Sequence, residues 1–312
     1  MGKDTTLISF VFPVYNEEEN LPELIKQITA FFNSQKKYAW EAIFVEHGSW
    51  DKSFEILRKA GQKDTRIKVL RLSRNFTADG GIAAGMRFAK GDALVIMMAD
   101  LQEPFDVVPK FVKKWEEGYE IVYGVVKKRT ASIVRNIMSK LYYKLINKVT
   151  HNMFPENASD FRLIDKKVYQ AINTMPEQNK YLRGLVIWTG FNSTGVPFDR
   201  KNRFAGESKA DLKTVMYVAL NGIFSFSYLP LRLVSYVGVL ITLASFALGF
   251  YYLYLYFAHG REAPGITSVL LIMLFLFGIL FSALGIISEY LARIYDDVKL
   301  RPNLIVKETV NL

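Results

Sequence analysis

Short apolar runs alternate with amphipathic stretches over the first 125 residues of the chain. The runs have the length of strands, and between them apolar positions recur every three or four residues, as in helices. This pattern predicts strands at Thr6–Val14, Trp40–Val45, Ile67–Leu72, Ala93–Ala99 and Ile121–Val125. It predicts helices between them at Leu21–Phe32, Ser53–Gly61, Gly80–Ala89 and Asp106–Glu117. Repeated strand–helix units with short links indicate an α/β fold with a mostly parallel sheet.

Two long stretches without a charged residue follow towards the C-terminus, at 233–258 and 263–288. Each has 26 residues, which at about 1.5 Å per residue gives a helix of about 39 Å, enough to cross a hydrocarbon core of about 30 Å. Two buried core helices are the alternative, but neither stretch has a polar face. The linker at 259–265 is short. We therefore expect a hairpin of two transmembrane helices, at 233–258 and 264–288, with both chain ends on one side.

The pattern divides the chain into a large domain and a membrane anchor. We expect a cytosolic domain over 1–210, a juxtamembrane interfacial segment at 211–231, the two membrane helices within 232–292 and a cytosolic tail at 293–312. The chain has no cysteine, which excludes disulfides and thiolate metal sites. Lysine and arginine are more numerous on the domain side of the hairpin than in its linker, so we expect a multi-pass protein of the plasma or inner membrane with both termini cytosolic.

The formal net charge of +10 has a local source. Residues 127–148 contain seven lysines and arginines and no acid, and their apolar residues recur at helical spacing. A basic amphipathic helix of this kind suits an anionic membrane surface, although it would also suit packing against the domain. No known nucleic-acid-binding motif is present, so the expected partner is a lipid bilayer and not a nucleic acid.

Polar side chains follow three of the predicted strands. These segments are Pro13–Glu17 after the first strand, Glu46–Asp51 after the second and Asp100–Gln102 after the fourth. The carboxyl ends of parallel strands share one edge of a sheet, where ligands bind. The carboxylate of Asp100 and the amide of Gln102 suit a hard divalent cation that already carries phosphate oxygens, although Asp-x-Gln alone would also suit a solvated loop. Neither a Gly-x-Gly-x-x-Gly fingerprint nor a P-loop is present, so neither a dinucleotide nor an ATP-cradling site is predicted.

An ordered set of motifs resembles the family-2 glycosyltransferases of the GT-A fold, and among them the polyprenyl-phosphate glycosyltransferases such as dolichol-phosphate-mannose synthase and the bactoprenol glucosyltransferases. The motifs are Val14–Glu17, Glu46–Ser49, Arg74–Phe76, Asp100–Pro104, Ser159–Arg162 and Arg203–Lys209. The resemblance implies a GT-A nucleotide-sugar-binding domain followed by interfacial helices and a transmembrane hairpin. It also implies transfer of a sugar, with inversion, from a UDP- or GDP-linked donor to a polyprenyl phosphate, with Mg²⁺ or Mn²⁺ as cofactor.

The resemblance also implies roles for individual residues. Asp100 and Asp160 would be catalytic, Asp160 as a base or as a carboxylate that orients the acceptor, with a helix cap as the alternative for Asp160. The metal would be bound by Asp100 and Gln102. The donor would contact Pro13, Tyr15, Glu17, Glu46, Asp100 and Gln102. The acceptor and its phosphate would contact Arg129, Arg135, Ser139, Arg203 and Lys209.

The chain departs from the family pattern at two positions. Met98 stands where the first acid of Asp-x-Asp-x-Gln belongs, so the metal would depend more on the phosphates of the donor. His47 replaces an aspartate of the turn after the second strand, and we expect it to pack inside the domain or to face solvent.

Two other functions stay open. A processive polysaccharide synthase would carry a Gln-x-x-Arg-Trp segment and more membrane spans, and the nearest segment, Gln178–Arg183, does not match. A membrane-anchored nucleotide-sugar binder without activity is the second, although the retained Asp100, Gln102, Asp160 and Arg203 argue against it. The sequence leaves open the sugar, the nucleotide, the exact lipid and whether the protein forms a homo-oligomer.

Overall fold

The computed structural model of the protein describes residues 5–127, 147, 155, 157–205, 220–259 and 265–312. The chain forms two compact units. The first comprises Met1–Gly222 together with Leu300–Leu312, and the second comprises Ile223–Lys299.

The first unit is built on one sheet of eight strands among the described residues, in the order β7-β5-β6-β4-β1-β2-β3-β8. The strands are β1 (Leu7–Val14), β2 (Ala39–Glu46), β3 (Ile67–Leu72), β4 (Ala93–Ile96), β5 (Ile121–Val126), β6 (Ala158–Asp165), β7 (Ser193–Phe198) and β8 (Val306–Val310). The pairs β1–β2, β1–β4, β2–β3 and β5–β7 are parallel, whereas β6 runs antiparallel to β4 and β5 and β8 runs antiparallel to β3. The carboxyl ends of β2, β1 and β4 therefore lie side by side, and β6 begins at the same edge.

Helices connect and cover the strands. They are α1 (Leu21–Ser34), α2 (Ser53–Lys63), α3 (Thr77–Phe88), α4 (Val108–Glu116, after a 3₁₀ turn at Phe105–Val107), α5 (Lys166–Thr174) and α6 (Leu182–Trp188). Each strand predicted before residue 126 is a strand in the structure, and each predicted helix is a helix. The observed ends differ from the predicted ends by at most three residues. The largest difference in a strand is at β4, which ends at Ile96 because the backbone N–H of Met98 donates to the carboxylate of Glu103 (2.8 Å) instead of continuing the ladder.

The core explains why the strands read as continuous apolar runs. Phe10, Phe12 and Phe44 are completely buried, and the rings of Phe12 and Phe44 stack with centroids 4.9 Å apart. Strands of a parallel sheet are covered on both faces, so they lack the alternation of a half-exposed strand. Burying each such side chain contributes about 1.5–3 kcal/mol, which makes these strands a rigid base for the loops at their ends.

Strand β8 was not predicted, because the sequence analysis assigned 293–312 to a tail. It pairs with the edge strand β3, and its residues are half-buried or exposed. The amide of Asn311 donates to the carbonyls of Gly61 (2.7 Å) and Ile67 (2.9 Å). The last residues of the chain are therefore part of the first unit.

The second unit contains two long helices, α7 (Leu229–His259) and α8 (Ile266–Val298). Their segments Leu229–Tyr251 and Ile272–Val298 are long and apolar enough to cross a membrane. Large apolar side chains are exposed along both helices, as expected for helices that contact lipid. Residues 220–226, at the end of the predicted interfacial segment, are helical. All of the predicted basic helix at 127–148 except its first residue and residue 147 lies outside the described residues.

Candidate active site

The loops after β1 and β2 are joined by hydrogen bonds at the carboxyl edge of the sheet. The backbone N–H of Asn16 donates to Ser49 Oγ (3.0 Å), and the N–H of Trp50 donates to Asn16 Oδ1 (3.1 Å). The N–H of Glu17 donates to Ser53 Oγ (2.9 Å). Asn16 has a φ of 53°, a left-handed conformation that asparagine tolerates better than most residues. The two loops therefore form one unit.

Tyr15 and His47 form an aromatic pair in this unit. Their rings stack with centroids 5.5 Å apart and planes 15° apart, and His47 is buried. His47 Nδ1 lies 3.1 Å from Asn75 Oδ1, which also accepts the N–H of Thr77 (2.8 Å). Because that oxygen can only accept, the proton between the two side chains belongs to His47 Nδ1. His47 thus packs inside the domain, the first of its two expected placements, and supports the ring of Tyr15.

Pro13 lies at the base of the same pair. A Cβ at Gly81 of α3 would come within 3.2 Å of Pro13 Cβ and 3.1 Å of His47 Cδ2. Contacts this short are tight, so a side chain at position 81 would require Pro13 or His47 to shift by a few tenths of an ångström. Helix α3 therefore approaches the loops of β1 and β2 closely.

Glu46, predicted to contact the donor, is held by the domain itself. Its side chain is completely buried, one oxygen accepts from Arg71 Nε (3.0 Å) and the other accepts the backbone N–H of Ser49. Glu46 thus closes the turn after β2, and its contact with a donor stays a prediction. Gly48 in that turn has a φ of +84°, and a Cβ there would meet the backbone of Arg74 at 2.7 Å.

Glu17 contacts the start of α1. Its carboxylate accepts from Asn20 Nδ2 (2.6 Å), which also lies 3.5 Å from the carbonyl of Ala205. The loop after β1 and the segment around residue 205 are therefore adjacent.

Asp100 is almost completely buried just beyond β4. Its Oδ1 accepts the backbone N–H of Gln102 (3.2 Å), and its Oδ2 accepts from Arg203 Nη2 (3.1 Å). Gln102 is also bound to the segment before Arg203. Its side-chain amide donates to the backbone carbonyl of Lys201 (3.3 Å), and its backbone carbonyl accepts the N–H of Lys201 (3.0 Å). Arg203 was predicted to bind the acceptor. In the structure its guanidinium instead contacts Asp100, which was predicted to bind the metal.

The residues predicted to hold a metal fit a hard cation. Asp100 offers carboxylate oxygens and Gln102 an amide oxygen, the ligand types that Mg²⁺ and Mn²⁺ prefer. Within the described parts of the chain, no group of three histidines and acids could hold a metal by itself. Mg²⁺ commonly takes one or two protein ligands and completes its shell with phosphate oxygens and water. A cation here would therefore depend on the phosphates of a bound nucleotide.

Glu103 is a site residue for which the sequence analysis gave no role. It is buried, its Oε2 accepts the N–H of Met98 (2.8 Å) and its Oε1 accepts from Ser159 Oγ (3.3 Å). Burial raises the pKa of Glu103 to about 8, although the hydrogen bond from Met98 opposes the shift. Glu103 therefore connects the loop after β4 to the start of β6.

Asp160 lies in β6, near the carboxyl end of β4. The helix cap that was the alternative for this residue is therefore wrong. Its carboxylate is bound by two guanidinium groups, from Arg183 (Nε to Oδ1, 2.9 Å, with Nη2 on Oδ2) and from Arg162 (Nη2 to Oδ1, 3.3 Å). Enclosure by the protein raises the pKa of Asp160, but the charges of Arg183 and then Arg162 outweigh it and lower the pKa to about 2. Asp160 is thus ionised at neutral pH and is a weak proton acceptor.

Asp79 in the first turn of α3 is a second site residue that sequence reasoning missed. Enclosure raises the pKa of Asp79 to about 7, and the charge of Asp160 adds to this effect, while Arg183 and Arg162 oppose it. Asp79, Asp160, Arg162 and Arg183 are called the charge cluster below. The sequence predicted a helix in this region from its apolar positions, and that pattern carries no information about charged neighbours from β6 and α6.

The remaining predicted acceptor residues lie outside the described residues. These are Arg129, Arg135, Ser139 and Lys209. Their predicted roles stay predictions.

Comparisons with known proteins agree with this geometry. The model of the family described as "Glycosyl transferase family 2" matches residues 9–172. An uncharacterized glycosyltransferase from Synechocystis is 39% identical over 97% of this chain and 96% of its own length. A prophage-derived bactoprenol glucosyl transferase from Shigella flexneri is 34% identical over 97% of this chain and 98% of its own length.

A solved structure shares the fold. The glucosyl-3-phosphoglycerate synthase from Mycobacterium tuberculosis, in complex with Mn²⁺, uridine diphosphate and phosphoglyceric acid, matches with a TM-score of 0.52 at 16% identity. The match covers 70% of this chain and 76% of that one. With a family match over more than half of its length and relatives aligned over nearly all of it, this chain belongs to the family 2 glycosyltransferases of the GT-A fold.

Proposed function

We propose that this glycosyltransferase transfers one sugar from a nucleoside-diphosphate sugar to the phosphate of a polyprenyl phosphate. The observation that carries the proposal is the full-length similarity to the bactoprenol glucosyl transferase of Shigella flexneri, which extends through the two apolar helices. Bactoprenol is a polyprenyl lipid, and a membrane hairpin is the part of the chain that suits an acceptor of this kind.

The donor would bind at the carboxyl edge of β1, β2 and β4. The ring of Tyr15, supported from behind by His47, offers a flat apolar surface of the kind that stacks on a nucleobase. Arg203 and the backbone around Glu17 would lie near the diphosphate. A guanidinium group binds phosphate oxygens in bidentate fashion, which makes Arg203 suited to that position.

Asp100 and Gln102 would hold the divalent cation. When bound, such a cation would neutralise charge on the diphosphate leaving group. In the structure the charge of Asp100 is balanced by Arg203 at 3.1 Å. Cation binding would therefore release Arg203 from Asp100 and leave its guanidinium available for the donor phosphates.

The reaction requires little help with proton transfer. The second pKa of a phosphate monoester is near 6, so the acceptor is already largely dianionic at neutral pH. An acceptor oxygen would attack the anomeric carbon as the bond to the diphosphate breaks, which inverts the configuration at that carbon. The low pKa of Asp160 agrees with this mechanism, because a carboxylate held by two arginines would take up a proton poorly. What the protein must supply is alignment and compensation of negative charge.

The transfer would take place at the cytosolic face of the membrane. Residues before and after the hairpin belong to the same compact unit, which supports a hairpin that begins and ends on one side of the membrane. The excess of lysine and arginine on that side favours the cytosol. The site residues would therefore meet nucleotide sugars from the cytosol.

A panel of nucleotide sugars offered to the purified full-length protein tests the function. Each donor is incubated with Mg²⁺ or Mn²⁺ and a short polyprenyl phosphate, and the lipid fraction is examined by mass spectrometry. We expect one donor to give a lipid-linked sugar, and the matching polyprenyl alcohol, which lacks the phosphate, to give none. Transfer to the alcohol, or no lipid product with any donor, would contradict the proposal.

A further inference from the structure

The charge cluster joins three separate elements of the domain. Asp79 comes from α3, Asp160 and Arg162 come from β6, and Arg183 comes from α6. Asp160, which is partly exposed, is paired with both arginines, and of the two arginines only Arg162 is buried. The cluster lies at the edge of the sheet that carries Asp100.

Arg183 binds Asp160 in a fixed orientation. Its Nε and Nη2 each donate to a different oxygen of the carboxylate. Two parallel bonds of this kind fix the plane of the carboxylate as well as its distance. Arg162 contributes differently. Its guanidinium also donates to the backbone carbonyls of Ser159 (3.2 Å) and Asp160 (3.3 Å), and its side chain is buried.

We propose that Arg183 is a positioning residue for Asp160, because its two hydrogen bonds hold the carboxylate at the acceptor side of the sugar. In this arrangement Asp160 acts as one half of an ion pair and not as a proton acceptor. The inference rests on the proposed transfer to a phosphate acceptor, because only an acceptor that is already ionised can dispense with a base.

Kinetics of transfer test the pairing of Arg183 with Asp160. The variants Arg183→Gln, Asp160→Asn and the double variant are compared for kcat and for the KM of the donor. Loss of a charge-assisted pair lowers rates by about 10- to 150-fold, and we expect Arg183→Gln to lower kcat by that order with the donor KM unchanged. The double variant should be no slower than Asp160→Asn alone, and Arg183→Lys should recover part of the rate.

A second ion pair provides the matched control. Arg66 binds Asp64 through Nε and Nη2 (3.0 and 2.7 Å), but at the start of β3, on the opposite edge of the sheet. Arg66→Gln should leave kcat unchanged. The proposal is overturned if the losses of Arg183→Gln and Asp160→Asn multiply in the double variant, or if the donor KM rises in parallel with the loss of kcat.

The same set of variants tests the pairing without any activity, through the free energy of unfolding. We expect the losses of stability in Arg183→Gln and Asp160→Asn to be less than additive in the double variant, because the two residues share one contact. Additive losses would overturn the proposal. If the wild-type protein forms no lipid product, the proposed function fails, while this measurement still decides whether Arg183 holds Asp160.

Discussion

Arg203 shows how a single contact changes the interpretation of a residue. The sequence placed it among the acceptor residues because it precedes the membrane segments, but its guanidinium lies on Asp100 in the structure. Asp100 and Arg203 are separated by more than one hundred residues, so their pairing depends on how the segment around Lys201 folds back over Gln102. Sequence spacing carries no information about such a return.

We therefore expect Arg203→Ala to weaken binding of the donor nucleotide. Loss of a charge-assisted contact to phosphate corresponds to about 10- to 150-fold in affinity, and Arg203→Lys should recover only part because an ammonium cannot bind in bidentate fashion. Calorimetry with nucleotide and Mg²⁺, without lipid, measures the effect. Lys201→Ala is the control, since Lys201 bonds Gln102 through its backbone N–H and carbonyl, which the substitution keeps. Unchanged nucleotide affinity in Arg203→Ala would contradict the donor assignment and favour the original prediction that Arg203 binds the acceptor.

Glu103 gives a prediction about stability and pH. The pKa of its carboxyl is about 8 in the fold and near the ordinary value of 4.5 in an unfolded chain. Between these values folding keeps the group protonated, so its contribution to the free energy of unfolding falls by up to about 1.4 kcal/mol for each pH unit gained. Glu103→Gln cannot ionise and can still accept the N–H of Met98.

The variant should therefore match the wild type near pH 5 and become more stable than it as the pH rises to 8. Denaturation of the solubilised protein with chelator present measures this difference. Glu41 is the opposite case, because Lys68 at 2.5 Å and Ser9 outweigh burial and lower the pKa of Glu41. Glu41→Gln should be less stable than the wild type by an amount that stays nearly constant from pH 5 to 8, because both states of Glu41 are ionised there. A Glu103→Gln variant that loses stability from pH 5 to 8 would contradict the assignment.

At the scale of elements, the sequence predicted the first five strands but missed β6, which lies inside the sheet, and the edge strands β7 and β8. The apolar runs of β1, β2 and β4 are visible because nearly all of their residues are buried. Strand β8 is short and exposed, and its residues Val306–Val310 include two charged side chains. Nothing in such a segment distinguishes an edge strand from a solvated tail, since its partner β3 is more than two hundred residues earlier.

Asn311 offers a test of how much β8 contributes. Its side chain bonds the carbonyls of Gly61 and Ile67, and its φ of 60° is left-handed. Loss of two hydrogen bonds costs about 1–3 kcal/mol, so Asn311→Gly, which permits the same φ, should lower the free energy of unfolding by that order. Asn311→Ala should cost more because alanine disfavours a positive φ. Equal stability of wild type and both variants would show that β8 adds nothing to the domain.

At the scale of the whole molecule, the last residues of the chain return to the first unit. Leu300–Leu312 belongs to the same unit as residues before 222, and we therefore propose that both ends of the hairpin lie on one side of the membrane and its linker on the other. The chain contains no cysteine, which makes single-cysteine labelling clean. A cysteine at Ala263 in the linker should react with impermeant reagents added outside intact cells, whereas Thr309→Cys in β8 should react only after the cells are opened. The reverse pattern would contradict the proposed orientation.

The structure of the lipid product tests the central claim most directly. With a donor that supports transfer, a short polyprenyl phosphate and wild-type protein, the account predicts a product heavier than the acceptor by one sugar, joined to its phosphate as a diester with inverted anomeric configuration. Asp100→Ala, or chelator, should abolish it. Products that carry several sugars, a sugar linked elsewhere than to the phosphate, or undiminished transfer in Asp100→Ala would contradict the account.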